Sequence, residues 1–578
     1  MIHANNPRQS RLFDPFEGII PPAGRRIIGS GWQGVFRHVL LEVMPVGELA
    51  QHFSRVLGAP SKELYSMAGL VFLADFFDWT APEAVEAYIF RSDVQYALNL
   101  EPGASVSTRT IERYQKLFRD NDLAGLVFHE VTTRLAEALE LNVSRQRLDS
   151  THVFSCMANF GRTKLMAVAI KRFLVQVKRH APESYAALPE SFRARYQTAD
   201  WRLFAEGRNA KDAEAHQLAR QQAAEDLYWI IKHFADCGEI MGRSSYKALV
   251  RIFGQQCELV EDKVVVKAKT GGDCVQSPSD LDATYDGHKG PGYQVQLAET
   301  CSPENQVQLI AAALPQTAAE PDSAAVIPML DQLKESKLLP EEMLADTSYG
   351  GDENVHAAQA RGVELVAPIP GGEVACDPGE LTPDDFAVDE RTGEVEACPR
   401  GHTPLRVERD EEAGTTRIEM PPEICSTCPF REACPIKATW GGRYYTMTFT
   451  DKDYRLAGRR REQDTPVFKE RYAPRAGIES TNSGLKNRLG LKRLKVRGRG
   501  SVFRVILHKV AGWNLLRAAA STKLRAWVSA QVARTLKGAG SGLDARVFAP
   551  VLRLVDGLKP AFQGDHRRLD GLMASLAA

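Results

Sequence analysis

The sequence predicts an α/β protein whose sheet region lies between two helical regions. Between residues 263 and 368, strand-like and helix-like stretches alternate in a way that is typical of an α/β fold. Before residue 255 and after residue 453, apolar residues recur mainly at helical spacing. Residues 371–450 interrupt both patterns with acidic, Pro- and Gly-rich sequence that contains a cluster of cysteines. We expect this segment to be an inserted subdomain.

Length and composition narrow the class of protein. The chain has 578 residues, which suggests three or four domains at about 100–200 residues each. Hydrophobic residues make up 44% and charged residues 25%, which excludes collagen, low-complexity disorder and a small disulfide scaffold. No apolar run approaches the roughly 18 residues of a membrane span. The first residues lack the apolar core of a signal peptide, so we expect a cytosolic protein with no membrane contact.

Charge is balanced overall but divided between two blocks. Lys+Arg and Asp+Glu both number 73, which argues against a uniformly basic DNA-coating protein. Residues 341–397 contain 15 acidic and 2 basic residues, whereas residues 471–540 contain 16 basic and 1 acidic. A chain with such a basic block can bind a polyanion locally while it stays neutral as a whole.

The first domain, residues 1–140, is predicted to be mainly helical. We expect residues 1–30, rich in Pro, Gly and polar residues, to form an extended arm. Segment 83–119 resembles short helices around a turn, and its last helix, Ser107–Asp120, begins among Ser and Thr caps. That helix fits a helix-turn-helix recognition helix, and equally an ordinary amphipathic helix. Its basic residues are Arg109, Arg113, Lys116 and Arg119.

The remaining domains follow from the changes of pattern. Residues 141–370 are the first part of the core, with a helical insertion at about 163–255, and residues 371–450 are the acidic insertion with the cysteine cluster. Residues 451–540 are basic helices that complete the core, and residues 541–578 are a tail. The predicted strands and helices of the core are residues 143–155, Lys263–Lys269, Ala283–Asp286, Tyr293–Thr300, Ala324–Ser336 (helix), Glu342–Thr347, Asn354–Arg361 (helix) and Val363–Pro368.

Three carboxylates stand out because of their settings. Asp149 lies within a predicted hydrophobic strand, and Asp346 lies at the carboxyl end of another, which is where α/β folds bind ligands. Glu479 begins a helix in a stretch with almost no other acid. Each Asp taken singly also fits a capping residue at a strand end. Together the three could hold two divalent cations, and Mg²⁺ suits such oxygen ligands.

The Glu479 helix carries the most specific pattern. Tyr472, Arg475, Glu479 and Lys486 follow the spacing Y-x2-R-x3-E-x6-K, and Asn482 falls on the same helical face. Arg can bind a phosphate through two hydrogen bonds, Lys offers a point charge, and Tyr can donate a hydrogen bond or stack.

This pattern resembles the signature of a large group of bacterial insertion-sequence DDE transposases. LDSTHV, with Asp149, resembles the first-Asp strand of that family, and ADTSYGGDEN, with Asp346, resembles the second-Asp strand. DGHKGPGYQVQLAET resembles the strand pair between them, and CPRGH followed by CSTCPFREAC is similar to a cysteine-bearing insertion in one branch of the family. The resemblance covers about residues 60–520. The helical stretch at 163–255 is a departure that leaves the sheet topology there open.

The resemblance implies an RNase H-like core and a set of roles. In that family the two Asp and the Glu bind two Mg²⁺ ions, with Mn²⁺ as an alternative, and the Tyr, Arg and Lys contact the DNA at the transposon end. The expected activity is metal-dependent cleavage at the 3′ ends of terminal inverted repeats and strand transfer into target DNA. A homodimer or higher oligomer is expected, because two ends must be joined in one complex.

The segment after Lys486 is strongly basic. KNRLGLKRLKVRGRG, residues 486–500, holds seven Lys or Arg and no acid. It follows the Glu479 helix directly, so phosphate binding is favoured over a merely solvated basic face. The expected contacts, besides Lys486, are Arg488, Lys492, Arg493, Lys495 and Arg497. His288 and Lys289, at a turn between strands, are a weaker DNA-contact hypothesis.

The cysteine cluster has the spacing C-x26-C-x2-C-x5-C. Cys398, Cys425, Cys428 and Cys434 could form a structural zinc site, since C-x2-C supplies two ligands from one turn. The other half lacks a second close pair, so His402 and Cys376 are substitutes, and free thiols remain the alternative. Four protein ligands would leave no open position for catalysis.

Three rival functions stay open from the sequence. The first is a domesticated or degenerate transposase that only binds DNA, and the second is a nuclease of the same fold. The third is a zinc-dependent transcription regulator. The intact set of three acids argues against the first, and strand transfer would separate the second.

Overall fold

The computed structural model describes most of the chain. The described residues are 2–7, 16, 19–101, 103–197, 213–370, 379–389 and 392–525. Cys376 and the predicted tail, residues 541–578, lie outside them, as do residues 526–540 of the predicted basic helices.

A mixed sheet forms the centre of the molecule, which confirms the predicted α/β class. Its strands are β1 (Arg145–Val153), β4 (Thr284–Asp286), β5 (Gly290–Thr300), β6 (Ile310–Thr317), β7 (Glu342–Ala345) and β8 (Glu364–Val366). Their main order is β6-β5-β1-β7-β8, and β4 pairs with the start of β5. β1, β5 and β6 are antiparallel neighbours, whereas β1, β7 and β8 run parallel. A separate hairpin joins β2 (Cys257–Val260) and β3 (Lys263–Val266).

The N-terminal region is helical and packs on one face of this sheet. Its helix boundaries carry ordinary caps: Thr80 and Glu83 form a capping box, and the Ser107 hydroxyl accepts from the Thr110 amide. The helices are α1 (Pro22–Ser30), α2 (Trp32–Val35), α3 (Val46–Ala50), α4 (Leu64–Phe76), α5 (Ala81–Phe90), α6 (Ser92–Ala97), α7 (Thr108–Asp120) and α8 (Leu123–Leu139), with a π-helical turn Phe36–Leu40 and a 3₁₀ turn Leu41–Val43.

The helical insertion after β1 has a hydrophobic core of its own. Phe173, Leu227 and Leu249, from three of its helices, are among the residues buried there. This separate core explains how about ninety residues can follow β1 without disturbing the main sheet. The helices are α9 (Arg162–His180), α10 (Pro182–Ala186), α11 (Glu190–Gln197), α12 (Ala213–His233), α13 (Gly238–Met241) and α14 (Ser244–Gln256).

Two helices cover the other face of the sheet. α15 (Val326–Glu335) and α16 (Asp352–Gln359) pack on Leu148, Ala312 and Met343. Short 3₁₀ turns precede each of them, at Asp322–Ala325 and Thr347–Tyr349. The sheet therefore lies between helices on both faces, as an α/β pattern predicts.

The acidic insertion forms a small β subdomain with its own apolar cluster around Ile418, Met447 and Phe449. Its elements are β9 (Ala387–Val388), β10 (Val395–Ala397), β11 (Arg406–Asp410), β12 (Thr415–Met420), α17 (Pro422–Cys425), β13 (Lys437–Ala438) and β14 (Tyr445–Thr450), with a 3₁₀ turn Pro383–Asp385. Four of the strands form a sheet in the order β11-β12-β14-β13, and β9 pairs with β10.

The C-terminal helices return to the main sheet. α18 (Asp451–Gln463) and α19 (Pro466–Tyr472) lead through a 3₁₀ turn, Ala473–Gly477, into α20 (Ile478–Asn487). α21 (Arg499–Ala519) then packs with α4, α8 and β6 in the main core. None of the described helices has the length and apolar character that a membrane-spanning segment needs.

Three local expectations were wrong. Residues 22–30 form α1 instead of an extended arm, because Ile20 and Ile28 pack with Phe16. β6 was missed, since both of its faces are covered and its apolar run IAAAL shows no alternation. Arg475 lies in the 3₁₀ turn before α20, whereas the spacing predicted one helix from 475 to 486.

Candidate active site

The three sequence-predicted carboxylates come from three elements that meet at the carboxyl end of β7. Leu148 of β1 is in register with Ala345 of β7, so the next residues, Asp149 and Asp346, lie level on adjacent parallel strands. Glu479 is the second residue of α20, which packs across β1. Residues separated by more than 300 positions in the sequence are thus brought together.

Arg475 contacts all three carboxylates. Its Nη2 lies 3.1 Å from Asp149 Oδ1 and 3.5 Å from Asp346 Oδ2, and its Nη1 lies 3.3 Å from Glu479 Oε1. The exposed fraction of the side chain is 14% for Asp149, 32% for Asp346 and 70% for Glu479. Solvent exposure therefore increases across the site, from the nearly buried Asp149 to the exposed Glu479.

Burial dominates the electrostatics of Asp149. Loss of solvent raises the pKa of its carboxyl group, and the Arg475 guanidinium offsets only part of that rise. Asp346 and a further acid, Asp322, add to the rise because they repel the charged form. A carboxylate in this setting favours a second cation beside Arg475.

Fixed hydrogen bonds orient the two aspartates. Asp149 accepts from the Asn482 amide at 3.0 Å and from the Ser150 backbone N–H at 2.9 Å. Asp346 accepts from the Ser348 backbone N–H at 2.8 Å, as the cap of a 3₁₀ turn. Asn482, which the sequence predicts as a DNA contact, is 8% exposed, and in this structure its amide donates to Asp149.

A buried ion pair fastens α20 to the sheet. Arg147 of β1 and Glu299 of β5 are cross-strand partners, with Nη2 and Oε2 2.7 Å apart. Glu299 also accepts from the Thr481 hydroxyl at 2.6 Å, and Arg147 donates to the Pro474 carbonyl at 2.8 Å. Both bonds reach the segment that carries Arg475 and Glu479. Sequence reasoning missed this pair, because nothing in either local sequence signals a partner 152 residues away.

Gly477 allows this close approach. A Cβ atom at that position would lie 1.9 Å from Nη1 of Arg147, well inside any real contact. The absence of a side chain is thus what lets the turn before α20 lie on the Arg147 guanidinium.

A second ion-pair network holds α19, which precedes the site. Glu342 accepts from Arg145 Nε and from Arg471 Nε, each at 2.5 Å, and Arg471 also pairs with Glu364. Tyr472 is half-buried and stacks on Phe468 with ring centroids 5.7 Å apart. Burial raises the pKa of the Tyr472 hydroxyl, so it is a neutral hydrogen-bonding group at ordinary pH.

Two lysines border the carboxylates. Lys486 is half-buried, which lowers the pKa of its ammonium group, and Asp149 opposes that shift. Lys289 lies 3.0 Å from the Ser150 hydroxyl and 3.1 Å from Asp322 Oδ2. Asp322, which sequence reasoning did not single out, is held by the Gln296 amide at 2.8 Å.

The basic segment presents its charges to solvent and its leucines to the core. Leu489, Leu491 and Leu494 are buried. The segment extends the sheet, because the Phe154 amide donates to the Lys492 carbonyl and the Leu494 amide to the Phe154 carbonyl. The predicted DNA contacts that this leaves exposed are Arg488, Lys492, Arg493, Lys495 and Arg497.

The three carboxylates have the right chemistry for a divalent cation, but they do not lie close enough together to share one as they stand. Three carboxylates supply only oxygen ligands, which Mg²⁺ prefers. Among the described residues, however, no three acidic, His or Cys side chains lie close enough to share one ion as they stand. Asp149, Asp346 and Glu479 surround the Arg475 guanidinium instead, so the cation in that space is at present the arginine.

The four clustered cysteines line one small cavity. Cys398, Cys425, Cys428 and Cys434 surround a space of about 30 Å³ together with His402. Burial raises the pKa of Cys425 to about 11, and the other three cysteines add to that rise because they are close. Cys398 and His402 are tied into one turn, since the Cys398 amide donates to the His402 carbonyl at 2.9 Å.

The proposed recognition helix has an exposed basic face. Ile111, Tyr114 and Phe118 of α7 are buried, whereas Arg109, Arg113, Lys116 and Arg119 are exposed. Arg113 lies over the Phe53 ring at 4.9 Å. This arrangement suits both a recognition helix and an ordinary amphipathic helix.

Comparison with known families adds to this geometry. Residues 397–519 match the transposase DDE domain family. The matched DDE segment, about a fifth of the chain, contains Arg475, Glu479 and Lys486 and the four clustered cysteines, whereas Asp149 and Asp346 precede it. This match supports a DNA transposase.

Other comparisons add no argument beyond the DDE match. None of the curated proteins compared matches the chain. A solved structure described as a piggyBac transposase synaptic complex with hairpin DNA aligns over 92% of this chain and 84% of that chain. The identity is 7% and the TM-score 0.26, which is too low to indicate a shared fold.

Proposed function

We propose that the protein is the DNA transposase of a bacterial insertion sequence, acting in the cytoplasm on terminal inverted repeats and target DNA. The observation that carries this proposal is the convergence of Asp149, Asp346 and Glu479 on Arg475. The DDE family match over the segment that holds two of these four residues supports it. The mixed sheet, with three antiparallel and two further parallel strands, supports an RNase H-like core.

The three carboxylates would hold two Mg²⁺ ions, or Mn²⁺ in their place. Bound there, the ions would activate water and stabilise the leaving oxygen of a phosphodiester. Asn482 keeps Asp149 oriented, and the Arg147–Glu299 pair keeps α20 at its distance from β1. Arg475 would exchange its carboxylate contacts for a phosphate, to which it can donate two hydrogen bonds.

DNA would approach along the exposed basic segment. Tyr472 and Lys486 would contact the strand at the element end, and the residues from Arg488 to Arg497 would bind its backbone without regard to sequence. 3′-end cleavage and strand transfer would then take place at the same carboxylates, mainly through positioning and electrostatic stabilisation. Joining two ends requires a dimer or a higher oligomer.

We also propose that the four clustered cysteines bind a structural zinc ion. The four thiols and His402 line one cavity. No three of them lie close enough to share one ion as they stand, so zinc would have to draw the thiolates together into a tetrahedral site. Such an ion would stabilise the acidic subdomain, whose apolar cluster is small.

The experiment that tests the function uses the purified protein and labelled duplexes carrying the ends of its genomic element. Nicking is compared with Mg²⁺, Ca²⁺ and no metal, for the wild type and Asp346→Asn. The proposal expects nicks at the element boundary that need Mg²⁺ and disappear in the variant. Tight end binding without nicking would favour a DNA-binding protein instead, and nicking without strand transfer would favour a nuclease.

A further inference from the structure

A groove of about 800 Å³ lies on the helical insertion and is not lined by any of the three carboxylates. Its walls come from α9, from the start of α14 and from the loop before β4. The described polar residues that line it include no acid and are Lys171, Arg172, Gln176, Arg243, Ser244, Ser245 and Ser279. Arg243 also pairs with Glu239, which does not line the groove, at 3.0 Å. A groove of this size and charge calls for an anionic occupant.

The charge of α9 points the same way. Residues 162–180 contain six Lys or Arg and no Asp or Glu. One side of the helix packs in the insertion core through residues such as Phe173, so the basic residues gather on the remaining surface. An ordinary solvated helix mixes both signs, because like charges at close spacing repel. Lys171 and Arg172 place this charge on the groove.

The groove continues the basic segment next to the carboxylates. The chain that leaves β1 runs beside that segment, since the Cys156 amide donates to the Val496 carbonyl at 2.7 Å. Burial lowers the pKa of Arg172, and Arg497, the residue after Val496, lies close enough to lower that pKa further. Positive charge thus extends from Lys486 through Arg497 into the groove.

The groove also has hydrogen-bond donors that can bind phosphate. Arg172 is held at the wall by the Ser279 hydroxyl, to which its Nη1 donates at 2.9 Å. Ser244 and Ser245 are the first residues of the thirteen-residue helix α14, where backbone N–H groups lack helical partners. Arginine, lysine and such amides are the usual donors to the DNA backbone.

We propose that this groove binds the phosphodiester backbone of duplex DNA next to the cleavage site. The inference rests on the proposed transposase function and extends it to the helical insertion. The seven residue steps from Asp149 to Cys156, which lies beside Val496, span at most roughly 23 Å at strand spacing.

The test measures binding of the full-length protein to end DNA as a function of salt. The variant K171Q/R172Q/R243Q is compared with K247Q/R251Q, whose two residues are exposed on α14 outside the groove. The slope of log affinity against log salt should fall by about two to three for the groove variant, and stay unchanged for the control. R172K/R243K should keep the wild-type slope. Phosphate ethylation on the element side or the flanking side of the nick identifies which duplex occupies the groove.

The possible outcomes distinguish failure of the groove inference from failure of the proposed function. An unchanged slope and an unchanged ethylation pattern in a folded groove variant would overturn the inference while leaving the transposase intact. A changed oligomeric state with unchanged DNA binding would assign the groove to a second copy of the chain and overturn it as well. Should the triple variant not fold, K171Q alone must lower the slope by about one. A wild type that does not bind end DNA would refute the proposed function itself.

Discussion

Arg475 is the residue at which the three candidate metal ligands meet. Its guanidinium neutralises part of their charge, and each contact is longer than 3 Å. One shared cation of this kind offsets part of the repulsion among the three carboxylates and so helps to keep them close together. Glu479 is the most exposed of the three candidate ligands, so it has the least structural role among them.

Glu479→Gln should abolish cleavage and leave binding to end DNA nearly intact. The change removes one charge and keeps the shape of a side chain that is 70% exposed, so the fold should tolerate it. Nicking and electrophoretic mobility shift on the same labelled duplex measure the two effects. Glu470→Gln, on the exposed side of α19, is the matched control. Substantial residual cleavage would remove Glu479 from the site.

At the scale of elements, α20 and the basic segment form one continuous unit. The buried Arg147–Glu299 pair positions the start of α20, and buried leucines hold the segment that follows. α21 then ties this unit to the N-terminal helices. Arg504 and His508 of α21 both donate to Asp75 of α4, at 2.8 and 2.7 Å.

Lys486→Ala should weaken binding to end DNA and lower its salt slope by roughly one. Lys486 is half-buried beside Asp149, so its ammonium is held where a strand would cross the site. Fluorescence anisotropy at several salt concentrations gives the slope. Lys452→Ala, an exposed change on α18, serves as the control. An unchanged slope would exclude a phosphate contact by Lys486.

Stability should fall as the pH drops below about 6.5, the ordinary histidine value. His508 is fully buried, and burial lowers its pKa although Asp75 opposes the shift and Arg504 assists it. The unfolded chain thus binds a proton more readily than the folded one, so acid favours unfolding, by up to about 1.4 kcal/mol per pH unit. His508→Gln should flatten urea-denaturation stability between pH 7 and 5. The same flattening in His180→Gln, an exposed change, would contradict this assignment.

Cys428→Ser should lose bound zinc and lower the thermal midpoint by several degrees. The four thiols share one cavity at the edge of a small apolar cluster, which a structural ion would reinforce. Metal analysis and a thermal scan of the purified protein measure both effects. Cys156→Ser, an exposed cysteine outside the cluster, is the control. A wild type that is purified without zinc would refute the zinc proposal.

At the scale of the whole molecule, local pattern predicted most elements and long-range pairing was beyond it. β1, β5 and β7 were predicted within a few residues, because alternation and strand-end acids mark them. β6 shows no alternation, since it is covered on both faces. Asp149 and Asp346 were predicted from their strand settings, and Glu479 from the motif spacing around it. The Arg147–Glu299 pair and Asp322 were missed, because such partners are defined only once the sheet has formed.

Acidic and basic residues are separated in the structure as well as in the sequence. Part of the acidic block lies in the β subdomain, whereas the basic segment, residues 486–500, runs from the Glu479 helix towards the groove on the insertion. A neutral chain can in this way keep a cationic path for DNA.

The central claim is that Asp149, Asp346 and Glu479 form a single cation site. Mn²⁺ binding, followed by electron paramagnetic resonance of the purified protein, tests it without any need for activity. The account predicts binding by the wild type and at least a tenfold loss in each of Asp149→Asn, Asp346→Asn and Glu479→Gln, with Asp331→Asn unchanged. Wild-type Mn²⁺ affinity in any one of the three variants would contradict the claim.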